Sequence, residues 1–343
     1  MRHLSSLARI APFERDAIET EHLPRTAWAT GDYVVGEIDT PPRDASRIEI
    51  ANGRMIHVAQ GDQIVGALGE REATLEATGT WREVGDDGQM HVLTSAGIMG
   101  LLTSQSPYRP MPMSIRYGGH VVRNGDKVTM TDFAVSADPQ PFRVPTILMT
   151  GTSMSSGKTT GARVIIRQLK KAGLAVLGAK LTGAGRYRDI LSMGDAGADW
   201  TYDFVDAGLP STVYPTEAYR ERIDQLLATM AAHDPDVAVV EIGSSPLEPY
   251  NGQAAIDALG GSVQCTALAA SDPYAVYGVM EGFQMDPDFV CGIAANTDAG
   301  IRLIKRLCGV DAINLVEPDS IPELNRILTR TLDVDLSPLA AVS

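Results

Sequence analysis

The run Gly151-Thr152-Ser153-Met154-Ser155-Ser156-Gly157-Lys158-Thr159-Thr160 limits what this chain can fold into more than any other feature. Before it stands VPTILMT (144–150), a continuous apolar run of the kind that forms a strand buried on both faces. After it, TTGARVIIRQLKKAG places Val164, Ile165, Leu169 and Ala172 near helical spacing, with Gly173 as a stop. Strand, glycine- and hydroxyl-rich loop, helix is the context in which backbone N–H groups wrap a phosphate chain at a helix N-terminus. Gly151, Thr152, Ser153, Ser155, Ser156, Gly157, Lys158, Thr159 and Thr160 are therefore expected to hold a nucleotide. Lys158 would reach the β- and γ-phosphates and the Thr159 hydroxyl would hold Mg²⁺. The spacing is G-x5-G-K-T, with Thr152 where a more common loop has glycine and no second lysine between Gly151 and Gly157.

The residues that follow alternate between apolar runs and helical patterns. LAVLGAK, DVAVVEI (236–242), VQCTALAA (263–270), DFVCGIAAN (288–296) and AINLV (312–316) read as strands. Helices are expected near 217–232, 252–259, 274–283, 299–308 and 320–330. This alternation predicts an α/β domain with a doubly wound parallel sheet over residues 145–343. Residues 1–140 have a different grammar. Short β-type runs (TAWAT, YVVGEI, RIEI, MIHV, QIVGAL, ATLEATGTW and HVVRNGDKVTMTDF) are separated by glycine, aspartate and proline, predicting a β-rich barrel or sandwich that binds substrate or partner. Gly31-Asp32-Tyr33-Val34-Val35-Gly36 is echoed by Gly61-Asp62-Gln63-Ile64-Val65-Gly66, either two copies of one hairpin unit or a coincidence. SADPQPFRVP (136–145) is the linker, because its prolines stop either neighbouring element from running through.

A phosphate loop needs an acidic residue at the end of another strand, and Glu241 supplies it after the apolar run DVAVV, as a ligand of magnesium or an orienting carboxylate. The polar stretch behind it, with Ser244, Ser245, Tyr250 and Asn251, reads as a substrate loop or as an ordinary one. The loop after the second strand carries Thr182, Gly183, Arg186, Arg188 and Asp189. There an arginine would hold a substrate carboxylate or a transferring phosphoryl group. Asp195, Asp199, Asp203 and Asp206 follow at near-helical spacing, mostly as a solvated face, with one a candidate for magnesium. Asn296 either reads a purine edge or caps a helix. His57, His91 and His120 have no short ligand spacing, so zinc is a weak expectation. Gly97 and Gly100 in the N-terminal half could approach a ligand, and Tyr117-Gly118-Gly119-His120 could line a cleft.

Composition narrows the classes. The 343 residues carry a formal charge of −14, whereas a phosphate-backbone binder needs a basic face, so nucleic acid is not an expected partner. Cys265, Cys291 and Cys308 cannot all pair and read as small buried apolar residues rather than a disulfide scaffold. No apolar run reaches the ~18 residues of a membrane helix, and MRHLSSLARIAPFERD is broken by charge too early for a signal peptide, which predicts a cytoplasmic protein. The expected partners are a small-molecule substrate and further copies of the chain.

Three blocks together resemble a known family over roughly residues 145–330: GTSMSSGKTT, LTGAGRYRD with YDFVDAG, and VVEIGSSPLEPYNG. The resemblance is to the P-loop family that includes D-glutamate N-acetyltransferases and is related to dethiobiotin synthetase. It places Asp203 at the family's aspartate and makes Glu241, Ser245, Pro249 and Gly252 shared positions. Ile242 stands where that family usually has glycine, and its N-terminal domain is usually Rossmann-like. The dethiobiotin synthetase side implies phosphoryl transfer from ATP with Mg²⁺ to a small carboxylate- or amine-bearing metabolite, as in a kinase or ligase. The acetyltransferase side implies acetyl-CoA, with the loop cradling the CoA phosphates. A nucleotide-gated binding or switch protein is the third reading. Lys158-Thr159 with Glu241 favours the first, since CoA has no γ-phosphate to place.

Overall fold

The computed structural model describes residues 1–40, 47–334 and 336. The chain divides into two compact units. The first comprises Met1–Ser136 with Ala184–Arg188 and Phe204–Pro215, and the second comprises Ala137–Gly183, Asp189–Asp203 and Thr216–Ser343. The tail 337–343, included in the expected second domain, lies outside the described residues.

The first unit holds β1 (Arg2–Leu4), β2 (Glu19–Glu21), β3 (Tyr33–Thr40), β4 (Arg47–Glu49), β5 (Met55–His57) and β6 (Gln63–Leu68). They are followed by β7 (Glu70–Ala73), β8 (Ala77–Thr80), β9 (Gln89–Val92), β10 (Ile98–Gln105), β11 (Ser114–Arg123) and β12 (Asp126–Lys127). Strands β6, β3, β11, β9 and β10 pair in that order, and β10 returns to β6, so the ring closes into a barrel. Closure leaves these strands no open edge between them. Trp28, Val34, Ile38, Ile64, Leu68, Trp81, Met90 and Ile115 belong to its core.

The echoed segment explains the centre of this barrel. β3 and β6 pair antiparallel with Val35 opposite Val65, Val34 opposite Gly66 and Gly36 opposite Ile64. Each copy is a turn plus one strand, not a hairpin of its own, and the two copies pair with each other about a local two-fold. The turns match bond for bond. Ala29 N–H donates to Asp32 Oδ2 at 2.7 Å, and Ala59 N–H to Asp62 Oδ2 at 2.9 Å. Gly31 N–H reaches the Leu68 carbonyl at 2.8 Å, and Gly61 N–H the Ile38 carbonyl at 2.9 Å. Gly31 and Gly61 have φ of +89° and +80°, a conformation that favours glycine. Val34 with Ile64, and Ile38 with Leu68, are equivalent pairs and all four lie in the core.

Other β readings are corrected. TAWAT is not a strand: Arg25–Ala27 is a short 3₁₀ turn. There Arg25 stacks 4.1 Å from the Trp28 ring centroid, and the Trp28 indole donates to the Leu23 carbonyl. The glycines expected near a ligand instead meet the chain itself. A Cβ on Gly97 would lie 2.2 Å from Ser5 Oγ, and one on Gly100 2.7 Å from the backbone of Thr80 and Trp81. His57 is exposed, His91 accepts from Leu102 N–H, and His120 is buried between the Tyr117 hydroxyl and Asp32. No group of three or more metal-ligating side chains occurs among the described residues, so the zinc expectation has no site.

The second unit holds β13 (Thr146–Gly151), β14 (Val176–Thr182), β15 (Trp200–Asp203), β16 (Val237–Ile242), β17 (Val263–Ala269) and β18 (Phe289–Cys291). All pair parallel, in the order β15-β14-β16-β13-β17-β18. Its helices are α1 (Lys158–Lys171), α2 (Tyr187–Asp195, in this unit from Asp189 on), α3 (Thr216–Ala231), α4 (Gly252–Leu259), α5 (Pro273–Phe283), α6 (Asp298–Cys308) and α7 (Ile321–Leu332). The strands β13, β14 and β16 are buried throughout, which their continuous apolar sequence requires. Two strand readings shorten. DFVCGIAAN keeps only Phe289–Cys291, because Gly292, at φ +81°, turns the chain so closely past the loop that a Cβ there would lie 2.2 Å from the Ser156 carbonyl oxygen. AINLV keeps only a single bridge at Ala312. Cys265 and Cys291 are buried and unpaired, and burial pushes both thiols up to about 12. No helix among the described residues is long and apolar enough to cross a membrane.

Candidate phosphate-loop site

The loop leaves β13, fourth of the six parallel strands, and ends at Gly157, the N-cap of α1, at φ +108°. Ser155 also takes a left-handed φ of +66°, so the backbone doubles back between the two glycines. A side chain at Gly151 would displace the ends of Ser156 and Lys158. A Cβ there would lie 2.6 Å from Ser156 Oγ, 2.8 Å from Lys158 Cδ and 2.9 Å from Lys158 Nζ. Lys158 is buried and its ammonium donates to the Ser153 carbonyl at 2.7 Å, folded over the loop it belongs to. Ser156 Oγ is buried without a hydrogen-bond partner. Thr152 accepts from Ser271 N–H at 3.0 Å and fixes the mouth of the loop to the start of the α5 segment. Thr160 and Ser155 are exposed.

Glu241 comes to this loop from the end of β16. Thr159 Oγ1 donates to Glu241 Oε2 at 3.0 Å, and the carboxylate is 2% exposed. Strand register sets its neighbours. Lys180 on β14 stands opposite Glu241 on one side and opposite Asp203 on the other, so one row across the sheet reads Asp203, Lys180, Glu241. Lys180 is buried and pairs with Asp189 at 2.6 Å. Asp203 is buried as well. The cluster thus holds two ammonium groups and two carboxylates almost out of water, with the half-buried Asp189 beside them.

Burial governs its ionisation. Desolvation lowers the Lys158 ammonium to about 8, against the attraction of Glu241 and with the repulsion of Lys180. Desolvation also disfavours the Lys180 ammonium, but Asp189 and Glu241 outweigh it and the group is raised. Glu241 is raised, by desolvation first and by Asp189, with Lys180 and Lys158 opposing. Protonated and ionised forms of Glu241 therefore lie closer in energy than at a surface carboxylate, a property common at sites of chemistry.

Lys180 is the cluster residue that sequence reasoning missed. Its signal was present: a lysine inside a buried apolar strand is rare unless paired. Arg186 and Arg188, expected to supply positive charge, are exposed on the segment Ala184–Arg188 of the first unit, and the buried cation beside Glu241 is Lys180 instead. Thr182 is buried and accepts from Gly243 N–H at 3.1 Å. Gly183 has φ +131°, and Asp189 is on α2. Ser244, Ser245 and Tyr250 are buried, and Ser245 N–H and its hydroxyl are spent on Glu248 and Leu247 within the loop. Asn251 has φ +60°, precedes α4 and accepts from Thr216. Of the remaining aspartates, Asp195 is exposed, Asp199 pairs with Lys170 and Asp206 pairs with Arg9.

Asn296 does not cap α6; Thr297 does, accepting from Gly300 N–H at 3.2 Å. Asn296 is exposed and lines a cleft of about 310 Å³ with Asn314, Glu317 and Ser320. The turn that carries Asn296 is tied to the loop three residues earlier. Ile293 N–H, three residues before Asn296, donates to the Ser156 carbonyl at 3.3 Å.

A glycine-framed G-x5-G-K-T loop runs from a buried parallel strand into the first helix, with an acid from the neighbouring strand, so the second unit is an α/β fold with a parallel sheet and a phosphate-loop motif at its centre. No protein-family model matches the chain, and no curated protein matches it. Among solved structures it is similar to HypB from Helicobacter pylori in complex with nickel, at 14% identity over 56% of this chain and 88% of that one, with a TM-score of 0.38. It is similar to chloroplast FtsY from Physcomitrella patens at 15% identity, covering 53% of this chain and 63% of FtsY, with a TM-score of 0.34. It is also similar to a ParA family ATPase from Chlorobium tepidum TLS, at 13% identity over 55% and 96%, with a TM-score of 0.30.

Proposed function

We propose that the second unit is an ATP- and Mg²⁺-dependent enzyme that transfers a phosphoryl group to a small carboxylate- or amine-bearing metabolite. The observation that carries this reading is the Thr159–Glu241 hydrogen bond of 3.0 Å between two oxygen ligands suited to a hard cation, beside two buried lysines. The residues fit the groups. Buried Ser156 Oγ lacks a partner, a side chain at Gly151 would displace the ends of Ser156 and Lys158, and the Lys158 ammonium rests on a carbonyl that a phosphate oxygen would outcompete as a charged acceptor. Thr159 and Glu241 would hold magnesium, which would supply positive charge against the phosphates there.

The chain's own residues do the rest. Lys158 holds the terminal phosphates. Lys180, fixed by Asp189, adds a second positive charge near the transferring group and takes the part expected of Arg186 or Arg188. Glu241, accepting from the Thr159 hydroxyl beside Lys180, orients the transferring group. Asn296, which lines its own cleft, offers a donor and an acceptor to the Watson–Crick edge of adenine. Thermal-shift titration with ATP, GTP, ADP and acetyl-CoA, each with and without Mg²⁺, tests the reading. A magnesium-dependent shift with ATP supports it, of ~2.7 kcal/mol at a hundredfold excess over Kd. A shift with acetyl-CoA alone, indifferent to magnesium, would overturn it in favour of acyl transfer. A magnesium-dependent shift with GTP alone would overturn the choice of base.

A further inference from the structure

We infer that the turn of Gly292 and Ile293, which follows β18 in the second unit, positions the phosphate loop. Its Ile293 N–H holds the Ser156 carbonyl, so that the Ser156 hydroxyl and the Gly157 N–H stay turned to the phosphates beside Lys158. This role presupposes that the loop holds nucleotide phosphates.

Ser156 is fully buried, and its carbonyl accepts from Ile293 N–H at 3.3 Å. A peptide unit is planar and trans, so its carbonyl and its N–H point opposite ways. With the Ser156 carbonyl directed at Ile293, the Gly157 N–H points away from the turn. Gly157 is the N-cap of α1, and backbone N–H groups at a helix N-terminus are what such a loop offers a phosphate. The Ser156 hydroxyl is buried without a hydrogen-bond partner. It and the Lys158 ammonium stand over one spot, 2.6 Å and 2.9 Å from where a Cβ on Gly151 would lie. Leaving a buried hydroxyl unsatisfied is costly, and a phosphate oxygen beside Lys158 would satisfy it.

The turn is shaped for close approach and is itself anchored. A Cβ on Gly292 would lie 2.2 Å from the Ser156 carbonyl oxygen, and one on Gly157 would lie 3.0 Å from Gly292 Cα. Two bonds tie the turn to the chain just past β17. Ala270 N–H donates to the Cys291 carbonyl at 2.9 Å, and Ala294 N–H donates to the Ala270 carbonyl at 2.9 Å. The same strand end holds the other side of the loop. Thr152 N–H donates to the Ala269 carbonyl at 3.1 Å, and Thr152 Oγ1 accepts from Ser271 N–H at 3.0 Å. Proline in place of Ile293 would remove the N–H and little else. The residue opens the short 3₁₀ helix Ile293–Ala295, a position that suits proline, and its side chain is 53% exposed. Gly292 before it has an extended ψ of −161°, which a following proline tolerates.

The test uses the full chain with Ile293→Pro, Ser156→Ala and the double variant. Binding of inorganic tripolyphosphate and of ATP, each with Mg²⁺, is measured by calorimetry, and MgATP turnover is read as kcat and KM separately. Lys158 in the unliganded protein is probed by reductive methylation and peptide mass spectrometry, with Lys170 as the internal standard. Ile293→Pro is expected to weaken tripolyphosphate and ATP alike by about tenfold, and to raise KM by about the same factor with kcat within about threefold. Lys158 methylation is expected to rise about fivefold as the loop loosens. The double variant is expected to bind more tightly than the product of the two single effects, because both changes act on one peptide unit. Unchanged tripolyphosphate affinity in Ile293→Pro, or effects that multiply in the double variant, would overturn the inference. Should the wild type bind neither tripolyphosphate nor ATP, the nucleotide reading of the site fails, and methylation alone decides the role of the turn. A rise in Ile293→Pro then supports its hold on the loop, and no rise overturns it. If Ile293→Pro does not fold, Ile293→Gly keeps the N–H but frees the turn. It should weaken tripolyphosphate by a smaller factor, and no weakening would overturn the role.

Discussion

Thr159 and Glu241 are 82 positions apart in the chain, yet the hydroxyl of one donates to the carboxylate of the other at 3.0 Å. The hydrogen bond joins the start of α1 to the end of β16 across adjacent parallel strands. Replacing Glu241 by glutamine keeps an acceptor for the hydroxyl and removes the charge. ATP affinity is expected to stay within about threefold while turnover falls by about 100-fold or more. Calorimetric binding and steady-state turnover of the same preparation check this, and unchanged turnover would remove Glu241 from the mechanism.

Gly151→Ala separates space from backbone freedom. Gly151 is not among the positive-φ glycines, so alanine there meets no backbone strain and acts through its Cβ. That atom would lie 2.8 Å from Lys158 Cδ and 2.9 Å from its Nζ. The variant should fold, lose about 1–3 kcal/mol of stability and weaken ATP by about tenfold or more. Urea unfolding and a nucleotide titration measure the two effects. Full affinity for ATP would show that the ammonium is not where the phosphates bind.

Lys158 makes stability depend on pH in an uncommon direction. Burial lowers its folded-state value to about 8, below the ~10.4 of an unfolded lysine. Between those values the unfolded chain holds more protons, so stability rises as pH climbs through that window, and the cost of the buried charge is complete below it. Lys158→Met should therefore melt higher than the wild type at pH 7, with the gap closing toward pH 10. The same variant, like Lys158→Ala, should lose the ATP-induced shift altogether. Nucleotide phosphates favour the ammonium form, so binding near pH 8 should take up protons, visible in calorimetry as a dependence on buffer ionisation heat. A gap in melting point that stays constant from pH 7 to 10 would refute the account.

The paired strands β3 and β6 differ in their tolerance of one methyl group. A Cβ on Gly36 would meet the far end of the Ile115 side chain at 2.6 Å, which can swing aside. A Cβ on the equivalent Gly66 would meet the Gly97 carbonyl oxygen at 2.3 Å, and backbone cannot. Gly36→Ala should cost about 1 kcal/mol and Gly66→Ala about 3 kcal/mol or the fold itself. Equal midpoints in urea would contradict the packing described.

What could be read in advance follows from how local each feature is. The phosphate loop was legible because ten consecutive residues carry strand end, turn and helix start together. Most helices of the second unit began and ended within a residue or two of expectation for the same reason: periodicity and stop signals are local. Lys180 was not, because its place beside Glu241 and Asp203 comes from the register of three strands that no stretch of sequence contains. TAWAT failed as a strand because Arg25 and Trp28 satisfy each other and the nearby backbone by side-chain contacts, which override β propensity. The arginines of the loop after β14 had suitable chemistry on paper, but Glu49 holds the backbone beneath them and leaves Arg186 and Arg188 exposed.

The matched turns of β3 and β6 carry one more implication. In each copy, the glycine N–H that ends the turn is satisfied by the other copy's strand, never by its own. A fragment with a single copy would thus hold an incomplete ladder, and the surface that completes it is the surface it already has. Such a fragment has a natural partner in a second molecule of itself, head against head. The link between the copies only holds together what the β3–β6 pairing already joins, and cutting the chain between Thr40 and Gln63 should yield pieces that reassemble with one another rather than fold apart.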